Sequence, residues 1–255
     1  MPRRSPIPRT LRRPLHDERG RRLPPYTRGD ETETGGSSKV TDGLQAQYTF
    51  ESQNFDDATD NNYHGTGAPD GGYTFEDDPE RGAVVRFANP SGSNDTEGYF
   101  DYETPADFGI TDSYSVVGWF RPQQFDDWEA LSMLNTVELD IRSGSLRFFE
   151  YDGGLQWRCS VTATDYMTTD NWYLIAGTMG PNGAELYIDG NKVDSVSSTN
   201  WTWTDDGSPF RAGYHRTGND GGSNSHYLGR SDDVRVYNTR LSDSQISSIY
   251  SNTSQ

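Results

Sequence analysis

The chain has 255 residues, enough for one large domain with extensions, and a formal net charge of −17. A body this acidic repels phosphate, which excludes nucleic-acid binding through its surface. No run of about 18 apolar residues is present, which excludes a membrane-spanning helix, and the single cysteine, Cys159, excludes an internal disulfide.

The charge is divided unevenly along the chain. Residues 1–29 contain nine Arg against two acids, a net charge of +7, so the remainder carries −24. Of the 39 acidic residues 27 are Asp, and only Lys39 and Lys192 are lysine. Dense carboxylates keep a surface hydrated when salt screens charge, and scarce Lys removes long apolar stems from that surface. This composition is typical of proteins from extremely halophilic organisms.

The first 42 residues are expected to form an irregular arm. Residues 1–29 are rich in Arg and Pro without apolar periodicity, and residues 30–42 form a polar linker with Gly and Ser. The Arg pairs are followed by no apolar stretch, so we expect neither a Sec nor a Tat signal peptide. An arm of this kind commonly becomes ordered only against a partner.

From residue 44 onward the pattern is all-β. Short alternating apolar runs are separated by Gly, Pro, Asp and Asn, as a sandwich of many strands requires. Asp189-Gly190 predicts a tight hairpin turn, and residues 243–250 predict one short amphipathic helix. The predicted strands are 44–50, 83–87, 98–102, 114–121, 128–133, 137–142, 145–151, 155–161, 172–179, 184–188, 192–197, 210–213 and 231–237.

Several short sequence motifs occur in the order found in laminin G-like domains. They include an opening strand, an Asp/Asn/Gly loop, a central strand ending in Arg-Pro, a Trp-initiated strand and a closing strand: residues 47–51, 60–65, 114–122, 171–178 and 227–242. The chain therefore resembles that family over residues 43–252. The resemblance implies a concanavalin A-like jelly-roll β-sandwich over residues 43–255, a fold that usually binds sugars or proteins.

The concanavalin A-like fold that the resemblance implies also includes glycoside hydrolases, which makes the acids of one strand candidates for a catalytic pair. One such family carries Glu-x-Asp-x-x-Glu on a strand, and Glu138 and Asp140 begin that pattern, but Ser143 stands where the second Glu belongs. Retaining hydrolysis needs both carboxyl groups flanking the sugar bond. The sequence therefore predicts a polar outward strand face and no enzyme. Cys159 lies in an alternating run and is predicted to be a buried apolar residue.

Calcium is the one cofactor that the resemblance implies, as a structural ion. Many relatives hold it between the early Asp/Asn loop and an acid at the start of the closing strand. Carried over by position, the ligands would be Asp60, Asn62, the carbonyl of His64, and Asp232. An Asp-rich solvated surface would present the same residues without a metal.

Two polar loops between the last strands are candidate ligand sites, because sugar sites pair aromatic platforms with hydrogen-bonding side chains. The alternative for the first loop is that one of its Trp residues caps the core. The candidates are Trp201, Trp203, Asp205, His215, Arg216 and Asn219.

These features predict a non-enzymatic adhesion or structural module. We expect a virion surface component of a haloarchaeal virus, such as a tail fibre, spike or turret, that binds host-surface glycan or glycoprotein. Residues 1–29 would dock onto other virion proteins, and the assembly would be a homo-oligomer, commonly a trimer. The alternatives are a carbohydrate-active enzyme and a cellular polysaccharide-binding surface protein, extracellular or at the cell surface.

Overall fold

The computed structural model describes residues 40–68, 72–88, 99–102, 105–125, 128–134, 136–151, 154–199, 209–213 and 227–254. They form two antiparallel sheets packed face to face, as the all-β pattern predicts. Within these residues no helix is long and apolar enough to cross a membrane. The predicted boundary between arm and body at residues 42 and 43 stays a prediction.

The first sheet has eight strands. Seven lie in the order β13-β12-β11-β6-β15-β4-β3, and β1 also pairs with β15. The bounds are β1 Leu44–Tyr48, β3 Tyr73–Asp78, β4 Gly82–Phe87, β6 Tyr114–Pro122, β11 Tyr173–Gly180, β12 Gly183–Ile188, β13 Asn191–Val196 and β15 Gly229–Tyr237.

The second sheet has seven strands in the order β10-β9-β8-β7-β14-β5-β2. The bounds are β2 Thr66–Gly67, β5 Phe100–Tyr102, β7 Trp128–Leu134, β8 Val137–Arg142, β9 Ser145–Tyr151, β10 Leu155–Thr162 and β14 Phe210–Ala212.

The core lies between the sheets, where the alternate residues that face inward from both meet. It contains an aromatic cluster in which the Phe100 ring lies 4.9 Å from Phe55 and 4.8 Å from Tyr48. Cys159 is fully buried in this core, as predicted, and burial raises the pKa of its thiol to about 12. Burial of each large side chain contributes about 1.5–3 kcal/mol.

The helix α1 (Asp243–Thr253) covers part of the outer face of the eight-stranded sheet. Ser242 begins it with a capping box, in which the Ser242 hydroxyl accepts from the Gln245 amide and the Gln245 side chain accepts from the Ser242 amide. Ile246 and Ile249 then pack with outward side chains of the sheet in a second apolar cluster, which Val40 also joins.

The predicted strands and helix are confirmed, with ends that shift by a few residues. The Asp189-Gly190 turn is also confirmed, since both residues have positive φ, 49° and 77°. Strands β2 and β3 were missed. Strand β2 has only two residues, too few for a visible alternation, and β3 carries acids at its end that weaken its apolar alternation.

Candidate functional site

One row of side chains crosses the outer face of the seven-stranded sheet without a break. Directly paired residues of neighbouring strands point to the same face, and here the pairing is continuous from β2 to β10. At the strand spacing of about 4.8 Å the row is about 29 Å long. We call it the seven-strand row; its members are Thr66, Asp101, Arg211, Met133, Glu138, Phe149 and Arg158.

The alternation of each strand sends this row outward. Phe100 and Phe210, for example, lie in the core between the sheets, so the adjacent Asp101 and Arg211 point to the opposite face. The two ends of the row, Thr66 and Arg158, are exposed. Asp101, Arg211 and Met133 are partly exposed, whereas Glu138 and Phe149 are buried, at 2% and 5% exposed.

Arg211 is held in place from two sides. Its Nη2 donates to Asp101 Oδ2 at 2.9 Å, and its guanidinium carbon lies 4.4 Å from the centre of the Tyr99 ring. A charge-assisted hydrogen bond and a cation–π contact together fix the plane of the guanidinium. Such a pre-organised donor is suited to hydrogen-bond a ligand without further loss of side-chain entropy.

A second polar pair lies beside the row on the same face. Arg147 donates through Nε to Asp140 Oδ1 at 2.7 Å and through Nη2 to Asp140 Oδ2, and its guanidinium stacks 4.6 Å from the Phe149 ring. Asp140 is 0% and Glu138 2% exposed. Burial, and secondly the nearby Glu138 charge, raise the pKa of Asp140 to about 7, against the opposing effect of Arg147.

The three positions of the hydrolase pattern lie in β8 and in the turn that follows it. Ser143 has φ 49° and lies in the turn after β8, so the third position of the hydrolase pattern has neither a carboxylate nor a place in the strand. Glu138 and Asp140 lie two residues apart on one strand face, and Arg147 binds both oxygens of Asp140. Carboxylates and guanidinium groups commonly bind sugar hydroxyls, but Glu138, Asp140 and Phe149 are buried here, and the partly exposed polar pair of this face is Asp101 with Arg211.

The early Asp/Asn loop is organised by a residue that the sequence reasoning missed, Asp57. Its carboxylate accepts four hydrogen bonds, from the amides of Gln47, Thr59 and Tyr63 at 2.9–3.0 Å and from the Thr59 hydroxyl at 2.7 Å. The Ala58 amide also donates to the Gln47 carbonyl. The loop thus caps the free edge of β1, and the Asp-x-Thr spacing of an Asx-turn was the available signal.

The proposed calcium ligands fit this geometry only in part. Asn62 has φ 60° and donates to the Asp60 carbonyl, whereas the imidazole of His64 accepts from the Asp57 amide at 3.2 Å. Asp232 is bonded to Arg81, with Oδ2 at 2.7 Å from Nη2 and 2.9 Å from Nε. Among the described residues, no group of three or more His, Cys, Asp or Glu side chains could hold a metal ion.

Arg81 and Asp232 instead connect the sheet to the end of α1. The Arg81 guanidinium lies 4.3 Å from the Trp119 ring and donates to the Thr253 carbonyl at 2.6 Å. Asp232 sits in a bulge of β15, at the point where the strand changes its neighbour from β4 to β1. The contacts of this acid are structural in the described part of the chain.

The six predicted ligand residues lie outside the described residues. Trp201, Trp203 and Asp205 precede β14 in the chain, and His215, Arg216 and Asn219 follow it. Since β14 carries Arg211, both loops are connected to a strand inside the seven-strand row, next to its central strand β7. Their role in binding stays a prediction.

Three solved structures with this fold are similar to the chain. Domain 4 of AbnA, a GH43 extracellular arabinanase from Geobacillus stearothermophilus, in complex with arabinotriose, has a TM-score of 0.57 at 19% identity, covering 83% of this chain and 98% of that one. The binding domain of Paraclostridial Mosquitocidal Protein 1 has a TM-score of 0.64 at 18% identity over 82% of this chain. The binding domain of Botulinum Neurotoxin DC in complex with SialylT has a TM-score of 0.61 at 13% identity over 84% of this chain.

The chain spans about half the length of the two toxin binding domains, 52% in each case. No curated protein matches it. Residues 94–247, more than half of the chain, match the laminin G-like sequence profile described as the concanavalin A-like lectin/glucanases superfamily. The chain therefore belongs to the concanavalin A-like lectin/glucanase superfamily.

Proposed function

We propose that the chain is a carbohydrate-binding domain whose ligand lies along the seven-strand row. The observation that carries the proposal is the unbroken register of that row, which aligns the exposed and partly exposed polar groups of Thr66, Asp101, Arg211 and Arg158 over about 29 Å. That length suits an oligosaccharide chain more than a single sugar. A relative crystallised with arabinotriose and another crystallised with SialylT support a saccharide as the ligand.

The loops joined to β14 would complete this site. Trp201 and Trp203 would supply aromatic platforms, and the polar members Asp205, His215, Arg216 and Asn219 would bind hydroxyl groups. The row on the sheet would provide the fixed part of the site and the loops its selectivity.

A glycan array tests this function directly. The full chain is applied at low and high salt to a panel that includes arabino-oligosaccharides, sialylated glycans and microbial surface polysaccharides. We expect saturable binding to a restricted set of these glycans. Absence of binding to every glycan in both salts would contradict the proposal.

We keep calcium as a proposed structural ion at Asp60, Asn62 and the His64 carbonyl. Oxygen donors of this kind are those that Ca²⁺ prefers, but the Arg81 contact leaves Asp232 as an unsuitable fourth ligand. An ion that binds the folded state raises its melting temperature. Thermal unfolding in calcium and in EDTA tests this proposal. Equal melting temperatures in the two solutions would contradict a structural calcium ion.

The proposed setting is the surface of a haloarchaeal virion, with host-surface glycan or glycoprotein as the target. The supporting features are the Asp-rich, Lys-poor composition and the +7 charge of residues 1–29, which would dock onto acidic virion proteins. Immunogold labelling of particles and the mass of the purified assembly test location and trimer formation. Label found only on host cells would favour the cellular surface protein.

A carbohydrate-active enzyme is the second candidate function. It is favoured by Asp140, whose raised pKa of about 7 beside Glu138 would suit a general acid. The contacts of Arg147 with both oxygens of Asp140 oppose it, because they occupy the two oxygens from which a general acid would give its proton to the substrate. Hydrolysis of a polysaccharide that is lost in Glu138→Gln and Asp140→Asn would establish the enzyme.

A further inference from the structure

Three arginines lie side by side on the outer face of the other sheet. Arg86 of β4 is paired directly with Arg230 of β15, and Arg230 is paired directly with Arg121 of β6. Directly paired residues point to the same face with Cβ atoms about 5 Å apart. We call these three residues the arginine row; α1 covers a different part of this face, over Val117 and Leu174.

Two of the three arginines have acidic partners. Arg121 donates to Asp78 Oδ2 at 2.9 Å and to the Asp170 carbonyl at 2.8 Å. Arg230 bonds to Glu76 through Nε alone. The side chains of Arg121 and Arg230 are 24% and 20% exposed, so both remain within reach of solvent.

Arg86 differs from both. Its Nε is buried and has no hydrogen-bond partner, and among the described residues its guanidinium has no ion pair. The residue is nevertheless partly exposed. A buried donor of a charged group without an acceptor is costly and requires an explanation, such as an ion or ligand that binds there. With two carboxylates for three guanidinium groups, the row keeps one positive charge inside a strongly acidic body.

The residues that flank the row are those of a saccharide site. Thr74 is paired with Arg86 on one side and presents an exposed hydroxyl group. On the other side Trp172 donates to the same Asp78 carboxylate that Arg121 contacts. Hydroxyl, guanidinium and indole groups in one line match a sugar that carries an acidic substituent.

We propose that the arginine row binds the carboxylate or sulfate group of an acidic saccharide, with Arg86 as its principal contact. The planar guanidinium presents paired donors that match the oxygens of either group. The site lies on the opposite sheet from the seven-strand row. The proposed function supplies one premise here, that the ligand is a saccharide; the position of the arginine row and its charge do not depend on it.

Calorimetric titration of the full chain at fixed ionic strength tests the proposal. The probes are trigalacturonate for a carboxylate, galactose 6-sulfate for a sulfate ester, and neutral galactotriose as the uncharged control. We expect tighter binding of at least one anionic probe than of galactotriose. Arg86→Gln should weaken that binding about tenfold, and Arg86→Lys should retain part of it, because it keeps the charge and loses the planar donors.

Arg142→Gln is the matched control, since it removes an exposed arginine at the end of β8 that belongs to neither row. Equal affinities for anionic and neutral probes would overturn the proposal, and so would a loss of affinity in Arg142→Gln but not in Arg86→Gln. Because Arg86 makes no hydrogen bond through Nε, its replacement should leave the melting temperature unchanged or raised. Binding of neutral oligosaccharides reports on the seven-strand row and should be the same in Arg86→Gln.

Discussion

Asp57 shows how one carboxylate holds a loop against a strand edge. Its four hydrogen bonds satisfy three backbone amides that would otherwise lack acceptors, including that of Gln47 in β1. Since the side chain is only 6% exposed, water cannot replace these bonds. These hydrogen bonds give the loop a defined shape against the edge of β1.

Replacement of Asp57 by Asn should therefore destabilise the domain. The amide nitrogen takes the place of one acceptor oxygen and faces N–H groups, which should lower the free energy of unfolding by about 2–4 kcal/mol. Urea denaturation measures the change. Asp56→Asn, at the exposed neighbouring residue, should stay within about 0.5 kcal/mol; a similar loss in both variants would show that the four bonds are not the cause.

Asp140 gives the domain a pH dependence of a definite sign. Its pKa in the folded chain is about 7, above the ordinary value of 3.8, so the folded state holds the proton more tightly than the unfolded state. This carboxyl should make the free energy of unfolding fall as pH rises from about 4 to about 7, with no further effect above that.

Urea unfolding at both ends of that range tests the sign. The fall in stability should be smaller in Asp140→Asn than in the unaltered chain, because the variant has no proton to lose. Asp165→Asn, at an exposed acid, serves as the control and should keep the full fall. An unchanged fall in Asp140→Asn would mean that Asp140 is ionised throughout.

Local sequence patterns correctly predicted features that depend only on neighbouring residues in the sequence. The Asp189-Gly190 turn follows from two residues that tolerate positive φ, and burial of Cys159 follows from strand alternation. Glu138 and Asp140 were predicted to face outward but not to be buried. Their burial, at 2% and 0% exposed, has no signal in the alternation of the strand.

Among the elements, α1 is the one whose packing is simplest to test. Ile246 is fully buried against the outer face of the eight-stranded sheet, beside Leu174 and Tyr237. Ile246→Ala should lower the free energy of unfolding by about 2–5 kcal/mol, through lost apolar burial and the cavity that remains.

Guanidinium denaturation measures this loss, and Ser247→Ala on the exposed side of the helix is the control. A change below about 0.5 kcal/mol for both variants would mean that the helix is not packed on the sheet. The N-terminus of the helix has further support, since Lys192 bridges Glu185 and Asp243 at 2.8 and 3.0 Å.

Elements with clear alternation were predicted well, as for β6 and β8. Strand β3 was missed because Glu76, Asp77 and Asp78 reduce its apolar content, although Glu76 and Asp78 serve as partners of outward arginines. The two-residue β2 has no sequence pattern at all, since it exists only through its pairing with β5.

At the scale of the whole molecule, function depends on which strands become neighbours. The order of short sequence motifs along the chain predicted the jelly-roll fold. It did not predict which strands lie side by side in each sheet. Arg211, Met133 and Glu138 are far apart in sequence and adjacent in the row. Likewise the arginine row joins residues 86, 121 and 230, which only the pairing of β4, β15 and β6 brings together.

The central claim is tested most directly by one dissociation constant, that of the glycan that binds most tightly on the array. It is measured for the unaltered chain, for Arg211→Gln and for Arg86→Gln. If a neutral oligosaccharide lies along the seven-strand row, Arg211→Gln should weaken binding about ten- to hundredfold, the worth of a charge-assisted hydrogen bond. Arg86→Gln, on the opposite sheet, should bind as the unaltered chain does. Full affinity in Arg211→Gln, with both variants folded, would contradict the claim.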